Sequence, residues 1–317
     1  LLSDYDGRHV RGETDASRFQ KVPDGVKFLA FDAKNVERAF SDLCANFGVD
    51  YETWITRMVE KCSSEPFPYP EYDDDRMTKD WESLRNSTSA AQFSHLGQSV
   101  IRQFHRSMWT AHRDGYPSPV EAWRDKALLE RCIRNRFIYS SGLSSQKIAD
   151  GFTVARIVPR VSVFRASLAK TLIEKYLNEF GEVFDPFSGF SGRMLGACSL
   201  GKRYVGQDMA SEHVRESNEI IGFLGLDATV AEADILSSNG EHECLFTCPP
   251  YAGKESWGGE SRPRRAEDWV DECLARFKCG RYVFVVDDPG KHSAHVVETI
   301  SNKSHFSSAQ EYVLVFD

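Results

Sequence analysis

No stretch of this 317-residue chain stays apolar for the length that a membrane-spanning helix requires, so a helical integral membrane protein is excluded. No Cys-x-x-Cys pair occurs among the eight cysteines, Cys44, Cys62, Cys132, Cys198, Cys244, Cys248, Cys273 and Cys279. They fall inside helical or strand patterns, which points away from a zinc site or a disulfide framework; no metal is expected, and the chain reads as reduced and cytoplasmic. The residues after Leu1 show no charged and apolar leader, so no secretory signal is expected there. Positive charge is also in short supply. A formal net charge of −8 argues against a protein that coats itself in nucleic acid indiscriminately.

What the chain does contain is Cys248-Pro249-Pro250-Tyr251, directly after the apolar run Cys244-Leu245-Phe246-Thr247. Two consecutive prolines donate no N–H and fix φ, so the chain must leave a sheet there. Rigid carbonyls followed by an aromatic face suit a flat group bearing an amine, because carbonyls accept N–H bonds and the ring stacks. Taken alone, such a run is more often a polyproline ligand or a turn. A second motif changes the balance: Glu182-Val183-Phe184-Asp185-Pro186-Phe187-Ser188-Gly189-Phe190-Ser191-Gly192-Arg193 reads as a short strand, a glycine turn and then a helix. Glycines at 189 and 192 let backbone approach a ligand where a side chain would collide.

Together these segments resemble the DNA amino-methyltransferases. Asp185 through Gly192 is similar to that family's S-adenosylmethionine motif, Asp-Pro-Phe-x-Gly-x-Gly, with one extra residue between the glycines. Cys248-Pro249-Pro250-Tyr251 is similar to its catalytic motif, Asp/Asn/Ser-Pro-Pro-Tyr/Phe, with cysteine in the first place. The resemblance implies a cofactor site of Phe164, Asp185, Pro186, Phe187, Gly189, Gly192, Asp208 and Asp234. Phe164 opens a segment like the family's preceding helix, Asp208 ends a second strand where a carboxylate suits ribose hydroxyls, and Asp234 ends a third, where the family would use it on the adenine amine. Cys248, Pro249, Pro250 and Tyr251 are the implied catalytic residues. Double-stranded DNA with its target base flipped is the implied partner, with room for a restriction-system partner.

The organisation is legible without the family. From about 182 onward strand and helix alternate, with strands at 182–185, 203–206, 228–231, 243–247 and 281–286 and helices at 191–200, 211–224, 266–277 and 291–300. Segments 303–306 and 311–316 read as a closing hairpin. Alternation of this kind predicts an α/β fold with helices on both faces of a mostly parallel sheet and ligands at the strands' carboxyl ends. The resemblance makes it a Rossmann-like class I methyltransferase sheet of seven strands. Residues 1–150 show helical patterns, as at 36–62, 91–112 and 119–137, around a proline-rich acidic loop at 64–75. Two domains are therefore expected: 1–150, a mainly helical region and candidate DNA-recognition domain by elimination, since little chain follows the hairpin, and 151–317, the catalytic domain.

Charge is uneven. Between 131 and 210 twelve basic residues face six acidic ones, either a stripe for a phosphate backbone or an ordinary solvated surface. Arg262, Arg264 and Arg265 follow the catalytic motif closely and are candidate nucleic-acid contacts. Ser144 to Thr153 could also be a helix-turn-helix fragment.

Cys248 raises the question of chemistry. Cytosine C5 enzymes attack the ring with a thiolate, but their cysteine follows proline, whereas Cys248 precedes two. It reads instead as a substitute for the polar first residue, and its likeness to serine tilts the expected target towards cytosine N4 over adenine N6. RNA-base and protein-amide N-methyltransferases remain alternatives, as does a degenerate fold that only binds nucleic acid.

Overall fold

A computed structural model describes residues 48, 50–111, 115–139, 144–159, 161–251, 264–304 and 307–317, with side chains left aside at 138, 139, 301–304 and 307–309. Numbered along the chain, its α-helices are α1 Tyr51–Ser64, α2 Asp74–Arg85, α3 Gln98–Phe104, α4 Pro119–Arg124, α5 Lys126–Tyr139, α6 Ser145–Val154, α7 Ala166–Tyr176, α8 Gly192–Cys198, α9 Ser211–Leu224 and α10 Ala266–Arg276. The strands are β1 Glu182–Asp185, β2 Arg203–Asp208, β3 Ala228–Glu232, β4 Gly240–His242, β5 Leu245–Thr247, β6 Phe277–Cys279, β7 Tyr282–Val286, β8 Val296–Ser304 and β9 Ser307–Phe316.

Contacts divide the chain into two compact units. One comprises Leu1–Pro70 and Met108–Val161, the other Glu71–Ser107 and Ser162–Asp317. The first is helical where described. Its apolar residues recur at helical spacing, and α1, α4, α5 and α6 bury Trp54, Phe67, Trp109, Trp123, Phe137 and Phe152 in one cluster. Side-chain oxygens cap three of these helices: Asp50 for α1, Ser118 with Glu121 as a capping box for α4, and Ser144 for α6. The segment considered as a helix-turn-helix fragment is the single helix α6 with its cap.

The second unit holds the seven-stranded sheet, in the order β3-β2-β1-β5-β7-β9-β8. β1 pairs in parallel with β2 and β5, β2 with β3, and β5 with β7, while β9 runs antiparallel to β7 and β8. This strand order, with its antiparallel closing strand, is that of the class I methyltransferases, an α/β Rossmann-like fold. Central strands flanked on both faces are continuously apolar, which explains why Val183, Phe184, Leu245, Phe246, Val283 and Phe284 have no exposed surface. On one face α10 buries Trp269 and Val270 against Phe184, Leu245 and Phe284. Elsewhere in the unit Gly196 of α8 lies so close to Ala169 that a Cβ would stand 2.5 Å from it, so α7 and α8 pack nearly backbone to backbone.

Two readings of the sequence are corrected. The helix expected at 291–300 is a short 3₁₀ turn, Gly290–His295, followed by β8, because Val296, Thr299 and Ile300 are β-branched and pair with β9. The acidic end of the 64–75 loop starts a helix instead: Asp73 caps α2, accepting Arg76 N–H at 2.7 Å. α2 and α3 belong by contact to the sheet-bearing unit, not to the helical one. A second, two-stranded parallel sheet of β4 and β6 was not expected.

Candidate active site

The carboxyl ends of β1 and β5 are neighbours, so the glycine turn and the Cys-Pro-Pro-Tyr run leave the sheet side by side. Asp185 joins them. Its Oδ1 accepts Thr247 Oγ1 at 2.6 Å and Phe187 N–H at 3.1 Å, and its Oδ2 accepts Arg193 Nε at 2.7 Å and Tyr204 Oη at 2.8 Å. Four donors saturate the four lone-pair positions of a carboxylate, and Asp185 has no exposed surface. Through these bonds Asp185 ties the two motifs together. Arg193 also donates to Phe187 O and lies over the Phe164 ring at 5.3 Å. Burial works against its charge, yet Asp185 holds its pKa above the ordinary range. Phe164 meets Phe246 edge-on at 5.9 Å, so it too stands between the motifs.

The two glycines have different tasks. A Cβ on Gly192 would sit 1.9 Å from Phe164 O, so only glycine lets the turn close on the chain entering α7. Gly189 has φ of 54°, and a Cβ there would meet only Phe187 O, at 3.8 Å. Gly189 is thus the glycine with open space beside it. The extra residue of the turn is taken up by Ser191, which is left-handed at φ 61°, a strained setting for a non-glycine residue.

A buried polar chain holds Ser191 there. His105 Nε2 lies 2.7 Å from Ser191 Oγ, and Ser191 Oγ lies 2.8 Å from Ser217 Oγ. On the other side His105 Nδ1 is 3.1 Å from Glu216 Oε2, and Glu216 accepts Ser107 N–H at 3.0 Å and the Ser107 hydroxyl. Burial lowers the His105 pKa. Glu216 is lowered as well: burial opposes its charge, but the bonds from His105 and Ser107 prevail. A neutral imidazole beside a carboxylate then donates from Nδ1 to Glu216 and accepts the Ser191 hydroxyl at Nε2. None of these partners was a sequence-based candidate. His105 and Glu216 are 111 residues apart, and no local pattern links them.

Asp208 ends β2 as expected. Its Oδ2 accepts Gly189 N–H at 2.8 Å, while its Oδ1 accepts Ala210 N–H at 2.9 Å and lies 3.4 Å from His213 Nδ1. Burial raises its pKa, but His213 and the two N–H groups outweigh that and lower it. Asp208 thereby fixes the glycine turn, and Oδ2, with one donor, retains capacity for a second. Asp234 caps the turn after β3, accepting Leu236 N–H at 3.0 Å, and is half-buried. At the same edge, Ser188 Oγ and Gln207 Oε1 are buried without a hydrogen-bond partner among the described residues. Buried polar atoms are normally paired, so these two mark places where a ligand's polar groups fit. Pro186 and Phe187 shape the wall, Phe187 packing edge-on against Trp269 at 5.3 Å.

On the other side of Asp185, Cys248 Sγ lies 3.4 Å from Tyr251 Oη, and Tyr251 Oη donates to Glu311 Oε1 at 2.7 Å. Burial, then Cys248 and Glu311, push the Tyr251 hydroxyl pKa well up, so it stays protonated. Pro249 is buried and Pro250 half-buried. Glu311 and Thr247 were not foreseen; only adjacency to the motif could have pointed to Thr247.

The basic candidates fare differently. Arg264 bonds Glu272 at 2.9 Å and lies over Trp269, and Arg265 bonds Glu267 at 2.6 Å, so both are paired with acids of α10. Arg262 lies outside the described residues. Four basic residues of the 131–210 segment are engaged within their own unit. In one, Arg134 pairs with Glu52 and Glu130; in the other, Arg193 is buried, Lys170 bonds the carbonyls of Leu84, Arg85 and Ser87, and Lys202 bonds that of Asn178 at 3.0 Å.

The strand order and its antiparallel closing strand define a class I methyltransferase fold. No family model matches the chain. Among curated proteins it is similar to a tRNA (guanine(10)-N2)-dimethyltransferase of Methanothermobacter thermautotrophicus, with 23% identity over 202 residues, covering 61% of this chain and 60% of that protein. The chain thus spans under two thirds of that relative's length. Solved structures similar to it include TrmN from Thermus thermophilus, at 18% identity and a TM-score of 0.37 over 47% of this chain and 48% of that one. Another is the Pyrococcus abyssi tRNA (uracil-54, C5)-methyltransferase in complex with S-adenosyl-L-homocysteine, at 17% identity and 0.36 over 47% and 38%.

Proposed function

We propose that this protein is an S-adenosylmethionine-dependent RNA methyltransferase that modifies the exocyclic amine of a base, with a tRNA as the substrate class. The observation that carries this reading is the Asp185 junction, which sets the glycine turn and the Cys-Pro-Pro-Tyr run at adjacent strand ends. S-adenosylmethionine, when bound, supplies an electrophilic methyl group on a sulfonium sulfur. The residues present suit it: Gly189 for close backbone approach, Asp208 Oδ2 for a ribose hydroxyl, Asp234 for the adenine side, and Ser188 Oγ and Gln207 Oε1 for further polar groups.

On the acceptor side, the Tyr251 ring would stack on the target base, and the Pro249 carbonyl would accept one amine hydrogen and turn the nitrogen lone pair outward. Alignment of nitrogen, methyl and sulfur would supply most of the rate, with no covalent enzyme intermediate. The DNA reading rested on motifs that RNA enzymes share, whereas the similar curated protein is by its name a tRNA guanine methyltransferase. That same likeness favours guanine N2 over the cytosine N4 expected from Cys248. The helical unit around α1, α4, α5 and α6 is the proposed RNA-gripping part, and a tRNA substrate would place the reaction in the cytoplasm.

The test is to incubate the protein with tritiated S-adenosylmethionine and, separately, total tRNA and duplex DNA, then identify the nucleosides by mass spectrometry. Label in tRNA as N2-methylguanosine or another exocyclic N-methyl nucleoside is the expected result. Label confined to DNA would restore the DNA reading, and a ring-carbon product would exclude amine transfer.

A further inference from the structure

We propose that Tyr251 and Glu311 form a proton relay that supplies the acceptor which Cys248 cannot; this inference rests on the amine-transfer reaction proposed above. A thiol is a weak acceptor and a weak donor, so a cysteine beside the reacting amine does little to draw off its second hydrogen. The structure places a carboxylate one hydroxyl away. Tyr251 Oη stands 3.4 Å from Cys248 Sγ and donates to Glu311 Oε1 at 2.7 Å, so its lone pairs are turned to the side where Cys248 lies.

Glu311 owes this position to the sheet. β9 runs antiparallel to β7, with Tyr312 opposite Val286, the last residue of β7. Glu311 is therefore the residue that reaches the carboxyl edge, level with the chain leaving β7 and beside the run leaving β5. It is half-buried, which strengthens a charge-assisted hydrogen bond relative to one in water.

The step balances. The nitrogen lone pair forms the N–C bond as the methyl C–S bond breaks, and that electron pair remains on sulfur as a neutral thioether. The nitrogen sheds one proton to Tyr251 Oη while the tyrosine hydroxyl proton passes to Glu311 Oε1. Tyrosine ends unchanged, and the protonated carboxyl returns its proton to solvent.

The experiment uses the full chain with tritiated S-adenosylmethionine and total tRNA, and reads kcat and KM for each. Tyr251→Phe keeps the ring and Glu311→Gln keeps an acceptor for the hydroxyl, so each removes the relay with little change of shape. Each should lower kcat by about 100-fold, the lower end of general acid–base contributions, with KM for S-adenosylmethionine within about 2-fold of wild type. The double variant should be no worse than either single one, because both cut one relay. Cys248→Asp should restore most of the activity of Glu311→Gln, since it returns a carboxylate to the amine. Wild-type kcat in either single variant, multiplicative losses in the double, or no rescue by Cys248→Asp would overturn the relay. Those outcomes require an active wild type; a wild type that labels no nucleic acid would instead overturn the reaction on which the relay rests.

Discussion

The proposed cofactor edge and the proposed acceptor edge of the same sheet are built in opposite ways. Around the glycine turn nearly every polar group is engaged: Asp185 takes four donors, Asp208 three neighbours, and Ser191 is locked to His105 and Ser217. At the acceptor edge the described contacts are few, with Cys248, Tyr251 and Glu311 in a line. A nucleotide cofactor needs one preformed cradle, and folding can complete it. A base, the proposed acceptor, would have to enter and leave, and on its side a proline-stiffened run is tied, among the described contacts, by the Tyr251 hydroxyl to a distant strand. The difference teaches that substitution should damage stability on the first edge and turnover on the second.

The comparison is broken most severely at Asp185. Asp185→Ala leaves Arg193 buried and uncompensated, and a loss of about 3–5 kcal/mol in urea unfolding is expected. A loss under about 1 kcal/mol would mean that Asp185 is not the junction. Gly192→Ala comes next, because its Cβ cannot coexist with Phe164 O; overpacking of about 1–3 kcal/mol is expected, together with weaker S-adenosylmethionine binding in calorimetry. Gly189→Ala sharpens the contrast between the glycines. It adds only left-handed strain of about 1 kcal/mol, so binding should fall by more than stability does.

A pH dependence is expected from the buried chain beneath Ser191. His105 is held below its ordinary value of about 6.5, so the unfolded chain binds more protons just below that pH and stability falls on acidification. Glu216, depressed from its ordinary value of about 4.3, adds a further loss at lower pH. His105→Gln should therefore flatten the decline of Tm between about pH 7 and pH 5, and an unchanged slope would argue against a neutral buried imidazole. The smallest effect belongs to Arg264→Ala, which removes a half-exposed pair with Glu272; less than about 1 kcal/mol in stability is expected, with little change in RNA affinity by filter binding.

Legibility in the sequence follows the range of the interactions. β1, β2, β3, β5, β7 and α9 were readable because apolar runs, glycine turns and caps are local signals, and so were the strand-end positions, though not the roles, of Asp208 and of Cys248 to Tyr251. The stretch 291–300 misled because its β-branched residues gain a partner strand only in three dimensions. Asp185 was placed by its strand end, but its bonds were not legible, since beside Phe187 N–H its donors come from Arg193, Tyr204 and Thr247, the last two on separate strands. His105, Glu216 and Glu311 carried no signal at all. Each acts on a residue at least 60 positions away, and a single chain does not display such pairings.

The most direct test of the shared edge is ultraviolet crosslinking of tritiated S-adenosylmethionine to the protein, followed by peptide mapping with and without excess unlabelled cofactor. Label on the peptides carrying Gly189, Asp208 or Tyr251, displaced by the competitor, is the predicted result; displaceable label mapping only to helices α1, α4, α5 or α6 would contradict it.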